Sequence, residues 1–283
     1  HRAAVTCVRW SPTNKFIASG CVDGLIRIYN TQGGGDRVFM GHRGPVTALD
    51  FNPTGTRLVS VGADRTVRQW RMRSGSQHRA KTTPVATALS VAHNAEGSLL
   101  AVTGVDPRIF IYDAVGLTLL RRLHGGDSTV LSLSWSADSA HIASVSEDGM
   151  IRVWDVLGSR AQETKVEKVL PISVSWAPLG APRLAVTLVN GDIKLLVPGE
   201  GLTEEMEIEG HSDMARAARW LADGSAIATT SMDGTCRVWD ADTGECACVL
   251  IGHRDWVSDC DWSPTNNHIV TCGHDGMVRM WDL

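Results

Sequence analysis

Residues 252–282 read GHRDWVSDCDWSPTNNHIVTCGHDGMVRMWD, from Gly252-His253 to Trp281-Asp282. From Trp256 to Trp262 the pattern alternates with a period of two and stops at Ser263-Pro264, which predicts a strand closed by a turn. The span 268–272 predicts a second strand running into a tight turn at His274-Asp275-Gly276. A third strand over 277–281 completes the unit. The fourth belongs to the segment before the next Gly-His, as 246–251 does for the preceding unit.

Working outward, the closing Trp-Asp recurs seven times, intact or altered. The positions are Tyr29-Asn30, Trp70-Arg71, Tyr112-Asp113, Trp154-Asp155, Leu196-Val197, Trp239-Asp240 and Trp281-Asp282, spaced by 41 to 43 residues. Six residues before each stands an acid or amide: Asp23, Asp64, Asp106, Asp148, Asn190, Asp233 and Asp275. Self-similarity at this period predicts four-stranded blades around one axis. No break in period marks a second domain, so the chain is expected to fold as one all-β, seven-bladed propeller. Its repeats span about 1–30, 41–71, 84–113, 126–155, 168–197, 210–240 and 252–282. Outer strands fall only between units, which leaves the seventh blade short of one. The expectation is a segment of a larger protein, or a last blade that keeps three strands or borrows a fourth.

The chain resembles the WD-repeat (beta-propeller) family over nearly all of its 283 residues. The resemblance implies a buried hydrogen-bond network in each blade, linking the His of Gly-His, a second-strand hydroxyl, the turn Asp and the third-strand Trp. Three units hold all four members: His42/Ser60/Asp64/Trp70, His211/Thr229/Asp233/Trp239 and His253/Thr271/Asp275/Trp281. Unit one has His1, Ser19 and Asp23, with Tyr29 for Trp. Unit four keeps Ser144, Asp148 and Trp154, but Gly126 replaces the His. Val102 and Val186 replace the hydroxyl in units three and five, and Leu196 replaces Trp in unit five. These two units are expected to have given up the network together, avoiding the roughly 1–3 kcal/mol cost of each orphaned group, and to be locally softer. A His/Ser/Asp trio invites a hydrolase reading, but one recurring at fixed spacing beside a Trp reads as architecture.

Composition narrows the function classes. Hydrophobic residues make up 43% of the chain, ample for a packed core. No apolar run approaches the roughly 18 residues needed to cross a bilayer, and no signal-peptide pattern opens the sequence. Seven cysteines lack metal-ligand spacing, Cys246-x-Cys248 being too close for a standard zinc pair. No metal, cofactor or small-molecule substrate is predicted. An intracellular setting follows from the cysteines, cytoplasmic or nuclear, with cytoskeletal or ciliary assemblies within the family's range. The net charge of −4 argues against a dedicated nucleic-acid binder. Arg outnumbers Lys 22 to 5, through genome composition or a preference for forked contacts.

Features repeated in most blades read as architecture. The cation two residues before the Trp position (Arg27, Arg68, Arg152, Lys194, Arg237, Arg279) belongs there, as do Trp10, Trp135, Trp176, Trp220 and Trp262 at the ends of first strands. Features of single blades are better candidates for recognition. The resemblance implies binding on the face carrying the Gly-His loops and tight turns. Mapped there, blade seven contributes Arg254, Trp256 and His274, and blade six Met214, Arg216 and Met232. Blade one contributes Arg2 and Ala4, and blade two Arg43 and Pro45. Trp256 is the only Trp outside the two recurring positions, and exposed Trp and Arg dominate binding hot spots. Asp127 and Glu147 lie across the ring, so the face is expected to be polarised toward acidic, phosphorylated or apolar peptide segments. On the rim, Arg65, Arg68, Arg71, Arg73, Arg79 and Lys81 oppose Glu200, Glu204, Glu205, Glu207 and Glu209, a pairing that would suit end-to-end docking.

The leading expectation is a non-catalytic protein–protein interaction scaffold in a multiprotein assembly. An RNA- or phosphate-binding module and a ligand-sensing propeller of a larger signalling protein stand as alternatives. An enzyme is not expected: no unique nucleophile–base pair or phosphate-cradling loop is present, and Gly33-Gly34-Gly35 reads as a hairpin loop without a following helix.

Overall fold

The computed structural model describes residues 1–124, 126–156, 161–166, 169–178, 180, 182–199, 201–265 and 267–283. The described residues hold strands and turns without a helix, and so no helix long and apolar enough to cross a membrane. The strands pair antiparallel in chain order into seven sheets, six of four strands and a last one of three. The first strand of each sheet lies innermost: Val5–Trp10, Val46–Phe51, Ala88–His93, Val130–Trp135, Pro171–Trp176, Ala215–Trp220 and Val257–Trp262. These strands touch in cyclic order, the seventh meeting the first, so the sheets form a closed seven-bladed propeller.

Alternation explains what lies between blades. Every second residue of a sheet faces the next sheet, so the core is a set of inter-blade layers. Val59, Val61 and Val67 of blade two pack with Val91, Leu100 and Tyr112 of blade three in one such layer. Indoles at the ends of first strands stitch the layers at one edge. Nε1–H of Trp135, Trp220 and Trp262 donates to the carbonyls of Ala92, Ser175 and Arg219 in the preceding blade, each at 3.0 Å. Trp176 departs from this: it is half-buried, stacks on His141 at 6.1 Å and lines a cavity of about 500 Å³.

The innermost strands leave an axial channel. Its middle carries the carboxylate of Asp259, 7% exposed, which accepts from Arg9 of blade one at 2.6 Å and Arg219 of blade six at 3.1 Å. One acid of blade seven therefore ties both neighbours. That blade consists of Val257–Trp262, His268–Gly273 and Val278–Asp282. With no fourth strand beside it, Trp281 is half-buried, whereas Trp70 and Trp239 are almost fully enclosed. The Gly33-Gly34 run has positive φ and joins Ile26–Asn30 to Arg37–Phe39 as a hairpin loop.

Candidate functional site

Two chain features fix the polar centre of a blade. The Gly-His loop drops an imidazole behind the second strand, and the tight turn returns an Asp to meet it. In blade two, His42 Nδ1 lies 3.0 Å from the Asp64 carboxylate and Nε2 lies 2.7 Å from Ser60 Oγ, which also accepts from Trp70 Nε1–H at 2.9 Å. The carboxylate only accepts, so Nδ1 donates; in the neutral ring that burial favours, Nε2 is bare and accepts from Ser60. Burial outweighs Asp64 and holds His42 below its ordinary pKa of 6.5. Burial raises Asp64, but donors from Arg43 N–H, Thr66 and His42 outweigh it, leaving the carboxyl at about 2. Blades six and seven repeat the arrangement: His211 with Asp233 and Thr229 at 2.9 and 2.8 Å, and His253 with Asp275 and Thr271 at 3.0 and 2.8 Å. Trp239 and Trp281 donate to the same hydroxyls at 2.7 and 2.9 Å. At Gly210 and Gly252 a Cβ would strike the edge of the blade's Trp ring, and at Gly41 it would meet the Arg68 and Gln77 side chains, with Trp70 close behind.

Other blades solve the same space differently. In blade four, Trp154 still donates to Ser144 at 2.8 Å. The Arg152 guanidinium lies against Gly126 and bonds Ser146, Asp148 and Glu163, occupying the room a histidine would need. Blade three corrects the expectation of a network lost without penalty. Tyr112 Oη and Thr103 Oγ1 are buried with no partner among the described residues, and burial pushes Tyr112 up to about 12. Val102 stands where Ser60 accepts from Trp70 in blade two, and the turn differs as well. Most blades place a Gly with positive φ after the turn acid or amide, and blade two puts Arg65 there at φ 63°. Blade three has Pro107, which cannot adopt that geometry, and Asp106 is spent on Arg108 at 2.6 Å.

The trio in blade two cannot act as a hydrolytic triad. Ser60 is fully buried and its oxygen is held by Trp70, whereas a nucleophile must reach substrate. His1, Cys21 and Asp23 bring ligand atoms within 4.8 Å of one another. There His1 Nε2 is bonded to Ser19 and Nδ1 faces the Arg27 guanidinium, so a cation would meet a fixed positive charge.

On the loop face, one backbone bond recurs seven times. The residue before the turn acid or amide donates its N–H to a carbonyl of the incoming loop: Val22 to Ala4, Ala63 to Pro45, Val105 to Thr87, Glu147 to Thr129, Val189 to Leu170, Met232 to Met214 and His274 to Trp256. Each bond sets two side chains together around the channel mouth. Trp256 and His274 pack with ring centroids 4.9 Å apart and planes tilted by 47°, with Trp256 40% exposed and Arg254 exposed beside it. Met214 and Met232 form the adjoining pair, and Arg2 and Arg43 are exposed in the next two loops. Arg216 differs from these: it is the second residue of its strand and lines the channel with Leu131, Ile172, Glu147 and Ser258. Val22, Val105 and Val189 were not among the sequence candidates, yet are exposed at 42%, 49% and 36%. Their signal is position alone, each preceding a turn acid or amide. Glu147 is the only acid among these seven pairs. The basic sector is nonetheless mixed, since Asp213 and Asp255 are exposed within it.

The two rim charge runs prove unequal. Lys194 pairs with Glu204 and Glu207 at 2.7 and 3.4 Å, and Arg183 with Glu205 at 2.8 Å, so the acidic run is largely neutralised within its own region. Glu200 lies outside the described residues. In the basic run, Arg68 is spent on Asp64 and Gln77, while Arg71, Arg73, Arg79 and Lys81 are exposed.

The family described as "WD domain, G-beta repeat" matches residues 1–30, 36–71, 117–155, 203–240 and 244–282. Periodic tryptophan protein 2 of Arabidopsis thaliana is 29% identical over 240 residues, covering 83% of this chain and 26% of that protein. A guanine nucleotide-binding protein subunit beta of Solanum tuberosum is 26% identical, covering 74% of this chain and 59% of the relative. The ribosome biogenesis protein YTM1 of Kluyveromyces lactis is 25% identical, covering 82% and 44% respectively. The chain thus spans from about a quarter to six-tenths of the length of these relatives.

Proposed function

We infer, for a chain that belongs to the WD domain, G-beta repeat family, a non-catalytic interaction scaffold that holds a protein partner on its loop face. The observation that carries this reading is Trp256: 40% exposed, fixed by His274 at 4.9 Å, and flanked by the exposed Arg254. A large aromatic held rigid before binding loses little entropy on contact, the property of a hot spot. Met214 and Met232 extend the apolar surface on one side and Val22 on the other, with Arg2 and Arg43 beyond. A segment with an apolar anchor and flanking acidic or phosphorylated residues complements this sector of blades six, seven, one and two. The names of two relatives, a guanine nucleotide-binding protein subunit and a ribosome biogenesis protein, suit a subunit of a nuclear or cytoplasmic assembly. The test compares proteins copurifying with wild type and with Trp256→Ala/Arg254→Ala. Loss of specific partners from the variant is expected, at unchanged thermal stability; identical partner sets would remove the site.

A further inference from the structure

The outer corner of blade two gathers cations from three strands and a loop. In the sheet register Arg57 stands directly opposite Arg71, and Gln69 opposite Arg79. Alternation puts Arg57, Arg71 and Arg79 on the same side as Gln69, whose Nε2 donates to Ala114 O of blade three at 2.7 Å. Lys81, opposite Val67, shares that side. Arg37 of blade one reaches the same corner, its guanidinium donating to Met72 O at 2.6 Å and Arg73 O at 3.4 Å. None of Arg37, Arg57, Arg71, Arg73, Arg79 and Lys81 has an ion-pair partner among the described residues, although Arg183 and Lys194 across the ring do. His78, among Arg71, Arg57 and Arg79, is held below its ordinary pKa by burial and by those three charges.

Like charges directly opposite across a sheet repel. In a chain of net charge −4 such a concentration is not general basicity. No aromatic side chain is exposed at the corner; the exposed apolar residues next to it in the chain are the aliphatic Val38, Met40 and Val115. Single-stranded nucleic acid would need aromatic stacking platforms, which the corner lacks. What remains is forked donors suited to phosphate oxygens. We propose that the outer corner of blade two, built from Arg37, Arg57, Arg71, Arg73, Arg79 and Lys81, binds the phosphate backbone of a nucleic-acid duplex. It reads no bases, and leaves the loop face free for a protein.

The test is fluorescence anisotropy of the full chain with RNA and DNA duplexes of about 20 base pairs at roughly 50 to 200 mM salt, where a log–log slope of about −4 or steeper is expected. Arg71→Gln/Arg79→Gln, both exposed positions, should weaken binding by about ten-fold at ~100 mM salt and flatten the slope by about 2, with the urea midpoint unchanged. Equal affinity for the two duplexes supports a shared backbone ligand, and preference for one identifies the source. The proposal is overturned if neither duplex binds at the lowest salt, if poly-glutamate or a single strand binds as tightly, or if Arg43→Gln/Arg254→Gln on the loop face weakens binding as much.

Discussion

Blades two and three share one apolar layer yet are built on different principles. In blade two, His42, Asp64, Ser60 and Trp70 satisfy one another inside the sheet. In blade three, Val102 and Tyr112 pack in the same apolar layer, and the Tyr hydroxyl has no partner among the described residues. The difference teaches that the propeller needs each blade's volume filled but not each blade's polar centre. Blade two offers the Ser60 hydroxyl to its Trp; blade three has Val102 there, and its turn acid, Asp106, is bonded to Arg108 instead.

The largest expected effect sharpens this contrast through pH. His42, His211 and His253 all titrate below their ordinary 6.5 in the folded state. The unfolded chain therefore takes up protons first as pH falls through that value, and stability is lost on acidification. Asp64 and Asp233 sit at about 2 against 3.8, so a second loss follows between those values. Each of these carboxylates, 7% and 6% exposed, contributes on the order of 2 kcal/mol. Urea midpoints measured from pH 8 to pH 3 should hold near pH 8, fall as pH drops through 6.5 and fall again toward pH 3; a flat profile would deny the networks a role in stability.

A smaller effect compares equivalent residues. Asp64→Ala orphans His42 Nδ1, the Arg43 N–H and the Thr66 hydroxyl, and should cost about 3 kcal/mol. Asp106→Ala in blade three frees only Arg108, whose backbone N–H and half-buried guanidinium both bond that carboxylate, and should cost less. Equal losses by chemical denaturation would break the comparison. The smallest effect has the opposite sign. Tyr112→Phe removes an unpartnered hydroxyl and should leave stability unchanged or raise it by up to about 1 kcal/mol. A clear loss in the same assay would mean the hydroxyl is satisfied after all.

The periodic parts of this design were legible in the sequence. The intervals from His to hydroxyl and from hydroxyl to Asp are set by strand length and turn, so His42, Ser60 and Asp64 could be named from spacing. Trp256 stood out because no other blade has its equivalent. Contacts between blades were not legible, since they depend on how the ring closes. Nothing near Asp259 in the chain points to Arg9 or Arg219, and the neutralisation of Glu204 and Glu207 by Lys194 needed the register of the sheet. Arg152 was hidden by a rule that worked elsewhere, because its position recurs in other blades while its job in blade four does not. The exposed valines at the channel mouth were passed over for the converse reason: they are ordinary residues in a special place.

The bond between Arg9 and Asp259 joins residues 250 apart in the chain. A ribosome adding roughly 5–20 residues each second needs about 10 to 50 s to bring the second after the first. For that interval blade one exists with a buried-to-be guanidinium still open to water and its inner edge unmatched. The nascent chain is then most vulnerable to misassembly and most in need of a chaperone, and the last seam to form is the one that commits the wheel.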